Sequence, residues 1–195
     1  MSYNYELYDH PVLREAMACA VCSGDLPLGP KPIFRVHPDA RVAILSQAPG
    51  RLAHLSGIPW DDPSGRRLRE WLGVDDETFY DVRKFAILPM GFCYPGKGKG
   101  GDLPPRPECG PLWQEKLLAL MPNLQLKLLI GSYAQAQYLG KRRKRTLTET
   151  VQNYEEYLPE FFPLPHPSPR NQIFLRKNPW IESEIIPVLR ALIKE

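Results

Sequence analysis

Four short and almost wholly apolar runs constrain this chain most: RVAILS at 41–46, FAILP at 85–89, LKLLI at 126–130 and FFPL at 161–164. A strand with one wet face alternates apolar and polar residues, whereas a strand without that alternation must be covered on both faces, as in a parallel sheet. Helical patterns lie between the runs. Pro63 and Ser64 open one whose apolar positions Leu68, Trp71 and Leu72 share a face and which Gly73 can stop. A second runs from Pro111 to about Met121, a third is capped by Ser132 and continues to Leu139, and Ile181, Ile185, Leu189 and Leu192 stripe a terminal one. Strands alternating with helices predict an α/β fold of three layers, α/β/α, around a central four-stranded parallel sheet. The 195 residues suit a single domain over 1–195.

The connections carry most of the 22 prolines, clustered in 27–38, 89–111 and 159–179 and threaded with aromatic and apolar residues. Such segments are expected to be long ordered loops. Ligands of a parallel sheet bind beyond the carboxyl ends of its strands, so the segments 47–65, 90–109 and 166–179 should converge on one site. No apolar run approaches the ~20 residues of a membrane span, and MSYNYELYDH lacks both regions of a secretory signal. The expected location is the cytoplasm, where thiols stay reduced. The four cysteines therefore read as metal or cluster ligands, or as buried apolar residues, rather than disulfides. A net charge of +3 permits nucleic-acid contact without requiring it.

Leaving the first strand, residues 46–65 read SQAPGRLAHLSGIPWDDPSG, in which Pro49 and Gly50 force a turn that exposes backbone N–H groups. After the last strand comes HPSPRN, 166–171, a histidine at a strand end between two prolines. These segments resemble the active-site motifs of the uracil-DNA glycosylase superfamily. The first resembles the GEAPG…GxPF…G signature of its family four, the second the HPS motif with its DNA-intercalating loop, and GSYAQA at 131–136 the segment after the third strand. The likeness spans about residues 16–180 as ordered motifs.

The resemblance implies a DNA base-excision repair hydrolase that cleaves the N-glycosidic bond of a flipped-out deaminated base, most simply uracil, in DNA, and works as a monomer. His166 matches the histidine that donates a hydrogen bond to the base carbonyl oxygen, and Trp60 the aromatic residue that stacks on the base. Ala48, Pro49, Gly50 and Asn171 complete the expected base-binding group. Cys19 and Cys22 form a Cys-x-x-Cys, and Cys93 and Cys109 bracket CYPGKGKGGDLPPRPEC. The layout resembles the [4Fe–4S] ligation of family four; four thiolates would equally suit a structural zinc ion.

Two positions depart from that family. Gln47 stands where family four has glutamate, and an amide can orient water but cannot deprotonate it. Pro89 stands where it has an asparagine. Asp61 and Asp62 are the nearest carboxylates, able to steady the sugar cation or activate water, although Asp62 before Pro63 is equally an N-cap. His54 is either a phosphate contact or an exposed loop residue.

Phosphate contacts are expected from Lys97, Lys99 and Arg106 in the glycine-rich loop, from Lys141, Arg142 and Arg143 in the run KRRKR, and from Ser168 and Arg170. Charge runs are also commonly just solvated faces. Arg170, Ile173, Phe174 and Leu175 are candidates for a wedge that fills the space of the flipped nucleotide. With no histidine between Cys93 and Cys109, covalent trapping of the sugar, used by one branch of the superfamily, is not expected. The competing readings are a catalytically weak member that binds damaged or single-stranded DNA, and a cysteine-ligated redox protein.

Overall fold

The computed structural model describes residues 8–194. Its centre is a sheet of four strands, β1 (Val42–Leu45), β2 (Phe85–Ile87), β3 (Leu126–Ile130) and β4 (Phe161–Leu164), in the order β2-β1-β3-β4. All three pairings are parallel, with Val42 opposite both Phe85 and Leu126, and Lys127 opposite Phe161. The predicted fold class is the observed one, and the apolar runs explain it. In β1, Val42 and Ile44 face one layer while Ala43 and Leu45 face the other. Both faces are buried, which is why the sequence shows no alternation.

The helices are α1 (Pro11–Met17), α2 (Arg51–Ser56), α3 (Pro63–Leu72), α4 (Asp76–Tyr80), α5 (Cys109–Leu118), α6 (Ser132–Leu139), α7 (Leu147–Gln152), α8 (Gln172–Lys177) and α9 (Ile186–Leu192). One layer packs Leu68, Trp71 and Leu72 of α3, Phe79 of α4, Val151 of α7 and Leu189 of α9 on Ile44, Leu128 and Phe162. The opposite layer packs Leu13 of α1, Trp113 and Leu117 of α5, and Ala134 and Leu139 of α6 on Leu45, Ala86 and Leu129. The ends of α3 follow local chemistry: Asp62 caps its N-terminus, Pro63 needs no donor there, and Gly73 closes it at φ 69°.

Four expectations need correction. The ladder of β1 ends at Leu45 and that of β2 at Ile87, so the ends of RVAILS and FAILP already belong to the loops. Helix α5 begins at Cys109 rather than Pro111 and stops at Leu118. The terminal helix opens with a π-turn over Ile181–Ile185 before α9. Two segments expected as loops contain the short helices α2 and α8.

Candidate active site

A cavity of about 740 Å³ opens at the carboxyl ends of the strands, large enough for a nucleotide. One wall is the segment Ser46–Gly50 leaving β1, and a second is Ile87 and Pro89 leaving β2. The third is His166 to Asn171 leaving β4, while Trp60, Asp62 and Ser64 close the side next to α3. The expected convergence of three connections is what the topology produces.

Trp60 and His166 meet inside it. Their rings are stacked, with centroids 5.5 Å apart and planes inclined by 27°. Trp60 is held at φ 59°, and Gly65 makes that turn possible, because a Cβ there would lie 1.8 Å from the Trp60 carbonyl oxygen. Arg69 donates to the same carbonyl, and the Tyr80 hydroxyl donates to the neighbouring Pro59 carbonyl. His166 is set by Asn171, whose amide donates to the His166 carbonyl at 2.8 Å. Burial pushes the imidazole below its ordinary pKa against a weaker opposing pull from the Asp62 carboxylate, and its Nδ1 is buried without a hydrogen-bond partner. The result is a neutral, desolvated imidazole.

Of the two aspartates, only Asp62 lines the cavity; Asp61 is exposed outside it. Asp62 caps α3 with one oxygen and leaves the other toward the cavity. Oδ1 accepts from Gly65 N at 2.8 Å as the cap of α3, and Oδ2 points toward Gly50. Gln47 is placed at the cavity, but its amide donates to the Leu103 carbonyl at 2.9 Å, a contact between β1 and the glycine-rich loop that sequence alone does not reveal. Pro89 presents no donor to the cavity, and its carbonyl is tied back by Gln114, which the Tyr138 hydroxyl in turn contacts. His54 is buried on α2, where desolvation lowers its pKa.

The basic candidates divide. Arg170 lines the cavity, as do Gly98 and Gly100 of the glycine-rich loop, on which Lys97 and Lys99 are exposed. Ser168 also lines it and caps the turn at Arg170. Arg106 is engaged by Asp25 and Glu108 at 2.8 and 3.0 Å, clamping the N-terminal segment to the loop. Lys141, Arg142 and Arg143 are elsewhere. Helix α6 carries the chain from the carboxyl end of β3 back to the amino end, where Arg142 lies over Tyr157 and Lys144 pairs with Glu156, just before β4. Among the wedge candidates, Leu175 is core, Phe174 packs against it, and Ile173 is 68% exposed. Sequence reasoning missed Arg67, which fixes the turn after β4 through the Ser168 carbonyl and the Gln172 side chain.

The four cysteines come together from the two predicted segments around one small cavity, none of them in a disulfide. Trp113 Nε1 donates to Cys19 Sγ and Phe92 N to Cys109 Sγ, each at 3.4 Å. Burial raises the thiols of Cys22, Cys93 and Cys109, that of Cys109 to about 12, so thiolates here call for a compensating cation. N–H donors aimed at sulfur and clustered half-buried thiols fit a thiolate-ligated centre. Among the described residues no group of three or more His, Cys, Asp or Glu converges closely enough for a single metal ion.

The model of the uracil DNA glycosylase superfamily matches residues 34–190, most of the chain. The chain belongs to that superfamily. Its members are DNA glycosylases, hydrolases of DNA repair, and a protein of this family binds DNA. Among solved structures, the chain is similar to a protein of Methanosarcina acetivorans described as a candidate uracil DNA glycosylase, at 16% identity over 83% of this chain and 98% of that one, with a TM-score of 0.49. It is also similar to wild-type SMUG2 of Pedobacter heparinus, at 16% identity over 80% and 77% of the two chains, with a TM-score of 0.42. Among the described residues no helix is long and apolar enough to cross a membrane.

Proposed function

We propose that the protein is a monofunctional glycosylase that hydrolyses the N-glycosidic bond of uracil, or another deaminated base, flipped out of DNA. The observation that carries this reading is the stacked pair of Trp60 and His166 in one cavity at the strand ends, beside the Asp62 carboxylate. The flipped base enters that cavity and stacks on the indole. His166, held neutral by burial, donates to a base carbonyl oxygen as negative charge develops there. Asp62 Oδ2 supplies negative charge beside the sugar as it becomes cationic. Arg170, Lys97 and Lys99 hold the flanking phosphates, Ser168 shapes the turn that meets the strand, and Ile173 fills the vacated space. The basic run at 141–145, at the opposite end of the sheet, stands outside this DNA path.

Cys19, Cys22, Cys93 and Cys109 would hold a [4Fe–4S] cluster, as the resemblance to family four implies, with zinc, for which the four thiols would have to draw closer together, the alternative. When bound, the group would supply the cation that four crowded thiolates need and join the N-terminal segment to the loop at the cavity mouth. Anaerobically purified protein should be brown with absorbance near 400 nm; a colourless protein containing one zinc ion would replace the cluster by zinc.

The second reading, a DNA-binding member with weak or no catalysis, is favoured by two observations: the Gln47 amide is committed to Leu103, and Pro89 offers no side-chain donor to a base edge. Single-turnover incubation with oligonucleotides containing uracil, hypoxanthine or xanthine separates the two. Abasic product from any of them supports the glycosylase; tight binding without product leaves the second reading.

A further inference from the structure

The carboxylate that position 47 lacks is available from a residue far away in sequence. The glycine-rich loop folds back as a small hairpin: Lys97 and Asp102 form an antiparallel bridge, Gly98 N donates to the Gly101 carbonyl at 2.7 Å, and Leu103 N donates to the Gly96 carbonyl at 2.9 Å. Gln47 Nε2 holds the hairpin to the end of β1 through the Leu103 carbonyl. A glutamate at 47 has no proton to donate to that carbonyl at neutral pH and would meet it with charge, so the amide suits the latch. The hairpin thereby brings Asp102 into the cavity wall opposite Asp62. A point one bond above Gly50 Cα lies 3.6 Å from Asp102 Oδ2 and 3.7 Å from Asp62 Oδ2. The two carboxylates therefore border the space above Gly50, and a side chain there would project between them.

We propose that Asp102 is a catalytic residue of this site, the general base for the attacking water, with Asp62 as its electrostatic partner. The proposal rests on the glycosylase reading above. Water above Gly50 bonds through oxygen to the anomeric carbon as the C1′–N bond breaks, and the bonding pair leaves with the base. The water proton passes to Asp102, which later returns it to solvent, while the base anion departs with the His166 N–H on its oxygen. The roles divide by environment. Asp62 spends one oxygen on Gly65 N as the cap of α3. Burial, and then the Asp62 charge, raise Asp102 above the usual carboxylate range, against the pull of Arg170 and Lys97. A carboxylate so placed is a stronger base than one in open water.

The test is single-turnover cleavage of a uracil oligonucleotide by the full chain, together with affinity for the same strand carrying a 2′-fluorinated deoxyuridine that resists cleavage. Asp102→Asn should cut the rate about 100-fold or more while binding stays equal or tightens, since a negative charge near phosphates is removed. The unfolding temperature of Asp102→Asn should match or exceed the wild type's, because an ionised carboxylate with a raised pKa opposes folding at neutral pH. Asp102→Glu should recover part of the rate. If the wild type cleaves and Asp102→Asn stays within about threefold of it, or loses binding and rate in equal measure, Asp102 is not the base. If the wild type releases no uracil, hypoxanthine or xanthine, the glycosylase reading falls and this proposal falls with it.

Discussion

The imidazole of His166 covers one face of the Trp60 indole at 5.5 Å between centroids. A base inserted between the rings would need about 3.5 Å of clearance on each side, so it cannot lie there without parting them. The base must use what His166 leaves of the indole, which puts a base carbonyl within reach of the imidazole edge. On the glycosylase reading proposed above, binding and chemistry are divided between two touching residues.

That division is measurable. Trp60→Ala should weaken binding of a uracil-containing strand about tenfold or more relative to an undamaged one, the value of one stacked base. His166→Ala should leave binding nearly intact and lower the single-turnover rate by about 100-fold, as when a developing anion is deprived of one donor. Equal and small effects on both quantities would remove the pair from the mechanism.

Asp62 allows its cap and its charge to be separated. Asparagine caps a helix about as well as aspartate, so Asp62→Asn should keep the melting temperature and lose cleavage rate. Asp62→Ala should lose both, at about 1 kcal/mol of stability. Equal activity in the wild type and Asp62→Asn would confine this residue to capping α3.

Gly65 supports the site without touching a substrate. A Cβ at 1.8 Å from the Trp60 carbonyl oxygen cannot be accommodated without moving the backbone that holds the indole. Gly65→Ala should cost about 1–3 kcal/mol in denaturant unfolding, as overpacking does. It should lower base capture beyond what the unfolded fraction explains.

These contacts mark how far the sequence could be read. The strands were legible because their continuous apolarity has one physical cause, burial on both faces. The cavity followed, since topology alone sends three connections to the same end of the sheet. Helix α2 was not legible: it leaves Leu52 and Leu55 exposed and buries Ala53 and His54, inverting the pattern by which helices are recognised. The amides of Gln47 and Asn171 looked available for chemistry, yet both donate to backbone carbonyls, one of them 56 residues away. Composition cannot show which polar side chains the fold has already used.

The run KRRKR shows the same limit for charge, and the salt dependence of binding tests where DNA lies. Every phosphate that the protein ceases to neutralise should flatten log K against log salt by about 0.7 to 0.9. Neutralising Lys97, Lys99 and Arg170 together should therefore reduce the slope by about two units or more. Neutralising Lys141 and Arg143 should leave it unchanged, because α6 carries them to the opposite, amino end of the strands. A larger reduction from the second pair would move the DNA path to that end.

His166 also ties stability to pH. Burial holds its folded pKa below the ordinary histidine value, so between the two values the unfolded chain binds a proton that the folded chain refuses. Its contribution is complete above about pH 6.5, the unfolded value, and is lost progressively as pH falls below it. Thermal unfolding from pH 8 to pH 5 should show a decline below that point in the wild type and a shallower one in His166→Asn. The cleavage rate should hold over the same interval better than an ordinary histidine would allow, since a lowered pKa keeps the imidazole neutral at mildly acidic pH. A wild-type rate that rises on acidification through pH 6 would mean that the protonated imidazole is the active form, and would overturn neutral hydrogen bonding as the way His166 steadies the departing base.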